Sequence, residues 1–398
     1  MFAYIVVLII LVFPLIHYRR HQANEKNSKY FYLEFIVMVC LMGFRYRVGG
    51  DSIRYENLYL YQSSLTELAT ASNWWSDGYQ PLWTLLSAIC KSISDEFWVF
   101  QICQAFIVNG IVFYCANRYC KYRYTFVFVY FLTYYLYFNA EIMREALAVS
   151  VFMFSFKYLV SHRYGKYYIF CLIAFMFHAS AFILFFLPPI YKIVSKRRGL
   201  PLYLTILSLS FVVILSADVI IYLMSAYLFS GNSLILDRLF FLGESNGLNF
   251  FGIAGKIIFL LPVVITQRCL WSVRDLNTDA NNFISSMYII FSIIAVVITP
   301  LSRLENYFSI LFLIIFVNFI CSYTCRKYFR SMISISILIF SISQVRWYSA
   351  LTHSIYKEDS DFRRYERYIP YHSIIDKEKE PEREHAIRQE DLKEVSDY

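Results

Sequence analysis

The chain has 398 residues, 58% hydrophobic and 20% aromatic, with only 17% charged and a mean hydropathy of +0.48. This composition excludes a soluble domain of ordinary make-up, and runs near ~20 apolar residues recur along almost its whole length, so a polytopic helical membrane protein is expected. The net charge of +8 hides a division. Residues 351–398 hold 9 basic and 13 acidic side chains, a balance of −4, so residues 1–350 carry +12. That surplus sits in short loops, as the positive-inside rule requires, and does not call for nucleic acid as a partner.

Nine cysteines lie within or beside apolar runs, without CxxC or a Cys/His spacing suited to zinc, and read as small core residues. Residues 1–16 lack a basic leader and a small-residue cleavage site, so they are expected to remain as a first span. Arg19, Arg20, Lys26 and Lys29 then mark a cytoplasmic loop, which puts the N-terminus outside.

Residues 31–44 cross back and end in Phe44-Arg45-Tyr46-Arg47-Val48-Gly49-Gly50-Asp51, followed by Tyr55. Fixed charges at the end of a span are costly without partners. The glycines permit tight turns and close approach of a ligand, and each arginine offers a planar fork to phosphate oxygens. The alternative is a snorkelling cluster in which Arg45 and Arg47 only mark a helix end. An outer loop over residues 45–80 follows, with Trp74, Trp75 and Tyr79. Residues 82–90 are apolar but reach only about half of a ~30 Å core, so an interfacial or re-entrant piece is expected.

Residues 97–116 span inward to Arg118, Lys121 and Arg123; 124–138 return, 146–159 go in, and Glu141, Arg144 and Glu145 stay at the outer surface. Residues 167–190 are flanked by basic residues on both sides, which a re-entrant hairpin turning at His178-Ala179-Ser180 resolves; a single span with a violated charge rule is the alternative. Further spans are expected over 202–228, 253–266, 283–299, 310–321 and 332–345, with an outer loop at 229–250 that contains Asp237, Arg238 and Glu244. The total is about ten full spans and two short or re-entrant elements. Residues 1–350 form the membrane domain and 351–398 a charged outer tail, loosely ordered from Asp376 onward.

Loop charge alone assigns this topology, yet it gathers Arg45, Arg47, Asp51, Glu141, Arg144, Glu145, His178, Arg303 and Glu305 on one face. An arginine-rich pocket with one histidine, partly within the membrane, suits a phosphate or diphosphate carried on a lipid tail. Each residue has a plainer role beside this one: His178 as a hydrogen-bonded turn residue, Glu141 with Arg144 as a surface ion pair at i, i+3, and Arg303 as a snorkelling side chain. The carboxylates lack a metal-binding spacing, so no metal and no cofactor is expected.

On Arg47-Val48-Gly49-Gly50-Asp51 with Tyr55, Arg144 with Ala146 and Ala148, Phe177-His178-Ala179-Ser180-Ala181, and Arg303 with Tyr307-Phe308, the chain resembles the EpsG family of bacterial exopolysaccharide polymerases, related in role to Wzy-type O-antigen polymerases. The resemblance runs over roughly residues 30 to 350. Two positions depart from the pattern: Glu145 stands where Gln is expected, and Gln80-Pro81 where Glu-Pro is frequent. The resemblance implies a GT-C-like, multi-pass glycosyltransferase of the bacterial cytoplasmic (inner) membrane with its site facing outward. It would join undecaprenyl-diphosphate-linked repeat units, donor to acceptor, with membrane lipid, a chain-length regulator and a flippase as partners. Arg45, Arg47, Arg144 and Arg303 would bind the diphosphate, with Tyr55, Glu141 and Tyr307 in the substrate site. His178 is the first choice for the base and Asp51 the second, since a neighbouring arginine makes Asp51 a poorer base and a better orienting partner.

Two other classes use similar residues. A flippase of lipid-linked sugars needs a cationic cavity but should show internal repeats and charge open to both sides, and neither is visible in the sequence. A membrane acyltransferase decorating the glycan could use His178, but needs fewer arginines.

Overall fold

The computed structural model describes residues 2–18, 29–70, 80–215, 250–273, 275–297, 299–323, 327–350, 363–381 and 383–384. Trp74, Trp75, Tyr79, Asp237, Arg238 and Glu244, the basic residues at 19–26 and the tail from 385 lie outside them. Every regular element among the described residues is helical. Among the described residues two helices are long and apolar enough to cross a membrane, Phe97–Tyr119 and Arg303–Ser322, and six shorter apolar helices accompany them. This is consistent with a helical membrane protein.

The chain forms two compact units, Met1–Phe185 with Gln344–Tyr398, and Phe186–Ser343. The described tail residues, 363–381 and 383–384, belong to the first unit. That unit begins with α1 (Phe2–His17) and α2 (Lys29–Gly43), then α3 (Ser52–Tyr61), α4 (Leu65–Thr70), α5 (Pro81–Ile93), α6 (Phe97–Tyr119), α7 (Arg123–Thr133), α8 (Met143–Val160) and α9 (Tyr164–Phe177). Pro81 opens α5, where a missing N–H costs nothing. Gly43 lets α2 close on α6, because a Cβ there would run into Ile102. The core is α8, packed against both α6 and α9, with Ala146 to Val149 wholly buried.

A polar ladder crosses this core. Asn109 of α6 donates to Asn139 Oδ1 at 2.8 Å, Tyr130 donates to Asn109 Oδ1 at 3.3 Å, and Asn139 donates to the Tyr135 carbonyl at 2.8 Å. The ladder anchors a single π-helical turn, Tyr137–Glu141, immediately before α8. Such turns widen the backbone and are frequent at functional positions.

At the far end of α9 the chain reverses at His178. A 3-10 segment, Ala179–Phe186, runs back along the helix, so that Tyr167 donates to the Leu184 carbonyl at 2.9 Å and Phe182 lies 6.3 Å from Phe175. This is the place at which the sequence puts a hairpin turn.

The second unit holds α10 (Leu187–Val194), α11 (Leu200–Leu215), α12 (Phe250–Leu270), α13 (Asp279–Val297), α14 (Arg303–Tyr323) and most of α15 (Lys327–Ser349). Asn282 of α13 donates to the carbonyls of Val194, Ser195 and Arg197, tying the end of α10 to α13.

Candidate functional site

The loop that follows α2 is held by a buried arginine. Arg45 is 1% exposed; its guanidinium donates to the Met42 and Val48 carbonyls and contacts Met143 Sδ at 3.2 Å. Burial pulls its pKa down to about 10. The fork is turned onto the protein's own loop, which it braces.

The bracing forces an unusual backbone. Arg47 has φ +50° and Gly49 φ +106°, and a left-handed non-glycine residue costs about 1–2 kcal/mol. Strain of this kind concentrates at functional sites. The Arg47 side chain lies between two carboxylates, Glu56 of α3 at 2.8 Å and Glu384 at 2.9 Å. Burial works against its charge, yet Glu384 and Glu56 more than offset that and hold its pKa above the ordinary arginine value.

Glu384 belongs to a segment that the sequence reading leaves loosely ordered. Residues 363–384 lie against the loop as a strap. Tyr46 N–H donates to the His372 carbonyl and Gly49 N–H to the Arg367 carbonyl, both at 2.9 Å, and Ile374 N–H donates to the Phe44 carbonyl at 3.0 Å. An isolated bridge joins Arg45 and Ser373. Tyr371 donates to the Leu41 carbonyl at 2.8 Å, Tyr4 to the Tyr368 carbonyl at 3.0 Å, and Arg383 to the Pro370 carbonyl at 2.7 Å.

Glu141 connects loop and strap. Its Oε1 accepts the Gly50 N–H at 2.8 Å and its Oε2 pairs with Arg367 at 3.0 Å. The packing is close enough that a Cβ on Gly50 would sit 2.6 Å from Glu141 Oε2 and 2.7 Å from Arg367 Nη1.

Arg144, one turn on, reaches two neutral groups with its fork. Nε donates to Tyr55 OH and Nη1 to Gln80 Oε1, each at 3.5 Å. Gln80 is therefore beside Arg144, at the position where the resemblance leads one to expect glutamate. Asp51 precedes α3 without capping it through its side chain, and its carbonyl accepts from Tyr55 N–H at 3.0 Å.

His178 is 9% exposed, with extended backbone. The Ser180 N–H donates to Nδ1 at 3.3 Å, and Ser180 Oγ lies 2.7 Å from the same nitrogen. With Nδ1 an acceptor, the neutral ring carries its proton on Nε2. Phe170 of α9 contacts both Phe154 and Tyr158 of α8 at 5.5 Å. At about 1.5 Å per residue on both helices, this antiparallel pairing sets His178 level with the first turns of α8, where Arg144 and Glu145 stand.

The first unit thus brings together Arg47, Asp51, Tyr55, Glu141 and Arg144, with His178 at their level. Arg303 and Tyr307 belong to the second unit, where Arg303 is exposed at the start of α14 and Tyr307 is wholly buried. Sequence reasoning missed Glu56, Arg367 and Glu384. Glu56 carried a signal, being nine residues from Arg47 in a polar helix; the strap residues carried none.

Among models of known protein families, that of the EpsG family matches residues 28–373. No curated protein and no solved structure matches.

Proposed function

The chain belongs to the EpsG family, and from that premise we propose that it is a polysaccharide polymerase of the cytoplasmic membrane, joining repeat units carried on undecaprenyl diphosphate at the outer leaflet. An acceptor hydroxyl attacks the anomeric carbon of the donor glycan. The bond from that carbon to the diphosphate oxygen breaks, the hydroxyl proton passes to a base, and undecaprenyl diphosphate leaves.

The observation that carries this reading is the setting of Arg144. Its fork reaches two neutral groups, Tyr55 OH with Nε and Gln80 Oε1 with Nη1, each at 3.5 Å. A phosphate oxygen offers the same fork a shorter, charge-assisted bond, which strengthens as charge develops on the leaving group. Arg47 is a substrate-binding residue in this reading, oriented by Glu56 and Glu384.

Asp51 is the base. It precedes α3 one turn before Tyr55 and so adjoins the Tyr55–Arg144 contact. His178 then acts through its Nε2–H as a donor to the sugar or the leaving group. Asp51 takes precedence over His178 as the base in this reading because Ser180 engages His178 Nδ1. A flippase and a chain-length regulator remain proposed partners.

The test is the size distribution of surface and lipid-linked glycan in a deletion strain carrying wild type or Arg144→Ala. Collapse of the ladder to a single lipid-linked repeat unit supports polymerisation. A full-length but undecorated glycan instead indicates an acyltransferase, and repeat units trapped on the inner leaflet indicate a flippase.

A further inference from the structure

Between the 44–51 loop, α3, the start of α6 and the strap lies a cavity of about 120 Å³. Its walls carry both signs of charge in pairs. Arg47 meets Glu56 at 2.8 Å, and Lys377 of the strap meets Glu96, the residue before α6, at 3.4 Å. Trp98 supplies an aromatic wall, and Gln101, 2% exposed, lies at the lining. Arg47 and Lys377 both have left-handed backbone, at φ +50° and +44°.

This lining discriminates among ligands. A phosphate would meet Glu56 and Glu96 beside each cation and gain little from the pair. A polyhydroxyl ring is a better match, because every hydroxyl both donates and accepts and can therefore bridge a carboxylate and a cation together. Its apolar face can stack on the Trp98 ring. The volume is well below the roughly 300–1,000 Å³ of sites for drug-sized ligands, so it admits one ring and not a disaccharide.

We propose that this cavity is a subsite for one sugar ring of the bound glycan, and that the C-terminal strap, through Lys377, forms its outer wall. The inference rests on the polymerase reading for the identity of the glycan, while the site itself is separate from the Arg144 contact. The strap is then part of the substrate-binding apparatus, and the choice of repeat unit depends in part on residues more than 300 positions from the loop.

The test uses the full-length protein in nanodiscs and, as probe, the lipid-free repeat-unit oligosaccharide released by mild acid from the host's own glycan. Binding is read by saturation-transfer NMR, and its place by hydrogen exchange of peptides covering 44–56 and 372–380. Wild type should bind and protect both peptides, and Trp98→Ala and Lys377→Ala should each weaken binding at least fivefold. Lys377 is half exposed in the strap, so its variant stays interpretable if loss of Trp98 disturbs folding. Arg144→Ala should bind the lipid-free probe within twofold of wild type, because the diphosphate is missing from it. Undiminished binding by Lys377→Ala and Trp98→Ala, protection elsewhere, or no binding by wild type overturns the subsite while leaving the polymerase reading to the glycan ladder. Binding at this cavity in a protein whose deletion leaves the ladder intact upholds the subsite and overturns the polymerase.

Discussion

Arg367 of the C-terminal strap and Glu141 of the π-helical turn form a largely buried ion pair at 3.0 Å across 226 residues of chain. The second oxygen of the same carboxylate holds the Gly50 N–H, so one side chain fixes loop and strap together. Removing one member strands the other charge, which costs about 3 kcal/mol or more at a buried pair. Glu141→Ala and Arg367→Ala should each lower stability by that order, and the double variant by clearly less than the sum. Thermal unfolding in detergent gives the cycle; strictly additive losses would show that the pair contributes nothing.

Gly49→Ala tests the loop geometry itself. A Cβ at this position meets Ala140 Cβ at 2.7 Å and its carbonyl oxygen at 2.8 Å, on a backbone with φ +106°. Neither neighbour is a flexible side-chain end, so the loop must leave the π-helical turn. The expected result is a loss of more than about 1 kcal/mol and collapse of the glycan ladder, read by unfolding and by gel.

The sequence made the loop, the arginine in the first turn of α8 and the turn at His178 visible, because each is a charge or a backbone breaker set against an apolar run. It could not show where Arg45 points. A fixed charge at a span end reads equally as ligand or brace, and only the Met42 and Val48 carbonyls decide it. The strap was invisible for another reason. Three of its bonds to the loop join backbone to backbone, as between Tyr46 and His372 or Gly49 and Arg367, and its ion pairs to Arg47 and Glu141 link positions far apart in the chain, so neither leaves a mark in local residue type or periodicity. Arg303 belongs to the second unit, a division that loop charge does not reveal.

If Arg45 is a brace, its loss should free the strap. Arg45→Met keeps bulk but leaves two buried carbonyls without their donor, at about 1–3 kcal/mol each. Trypsin should then cut at Arg364, Arg367 or Lys377 far faster than in wild type, before any change in the remainder of the chain. An unchanged digestion pattern together with weaker donor binding would return Arg45 to the role of ligand.

Arg144→Lys separates charge from shape. The fork of Arg144 reaches Tyr55 with Nε and Gln80 with Nη1, two directions that a single ammonium cannot hold together. Lysine should leave stability within about 0.5 kcal/mol of wild type, as is usual where no tightly packed network is broken. It should nevertheless lower polymer formation at least tenfold, measured as ladder intensity above the single repeat unit. Full activity with lysine would mean that charge alone suffices.

His178 can be divided nitrogen by nitrogen. Asparagine places an amide group near the position of Nδ1, so His178→Asn can still accept the Ser180 N–H that now goes to the ring at 3.3 Å. It should keep the turn, and hence stability, close to wild type. Glutamine reaches toward the position of Nε2 and can donate from there, though it loses the local turn bond, worth about 1 kcal/mol. If His178 acts as a donor, His178→Asn should be stable and unable to polymerise, while His178→Gln should be less stable and retain measurable polymer. A base requires a group that takes a proton, which neither amide does at neutral pH. Equal loss of polymer in both variants, with wild-type stability in the asparagine form, would restore His178 as the base and leave Asp51 as its orienting partner.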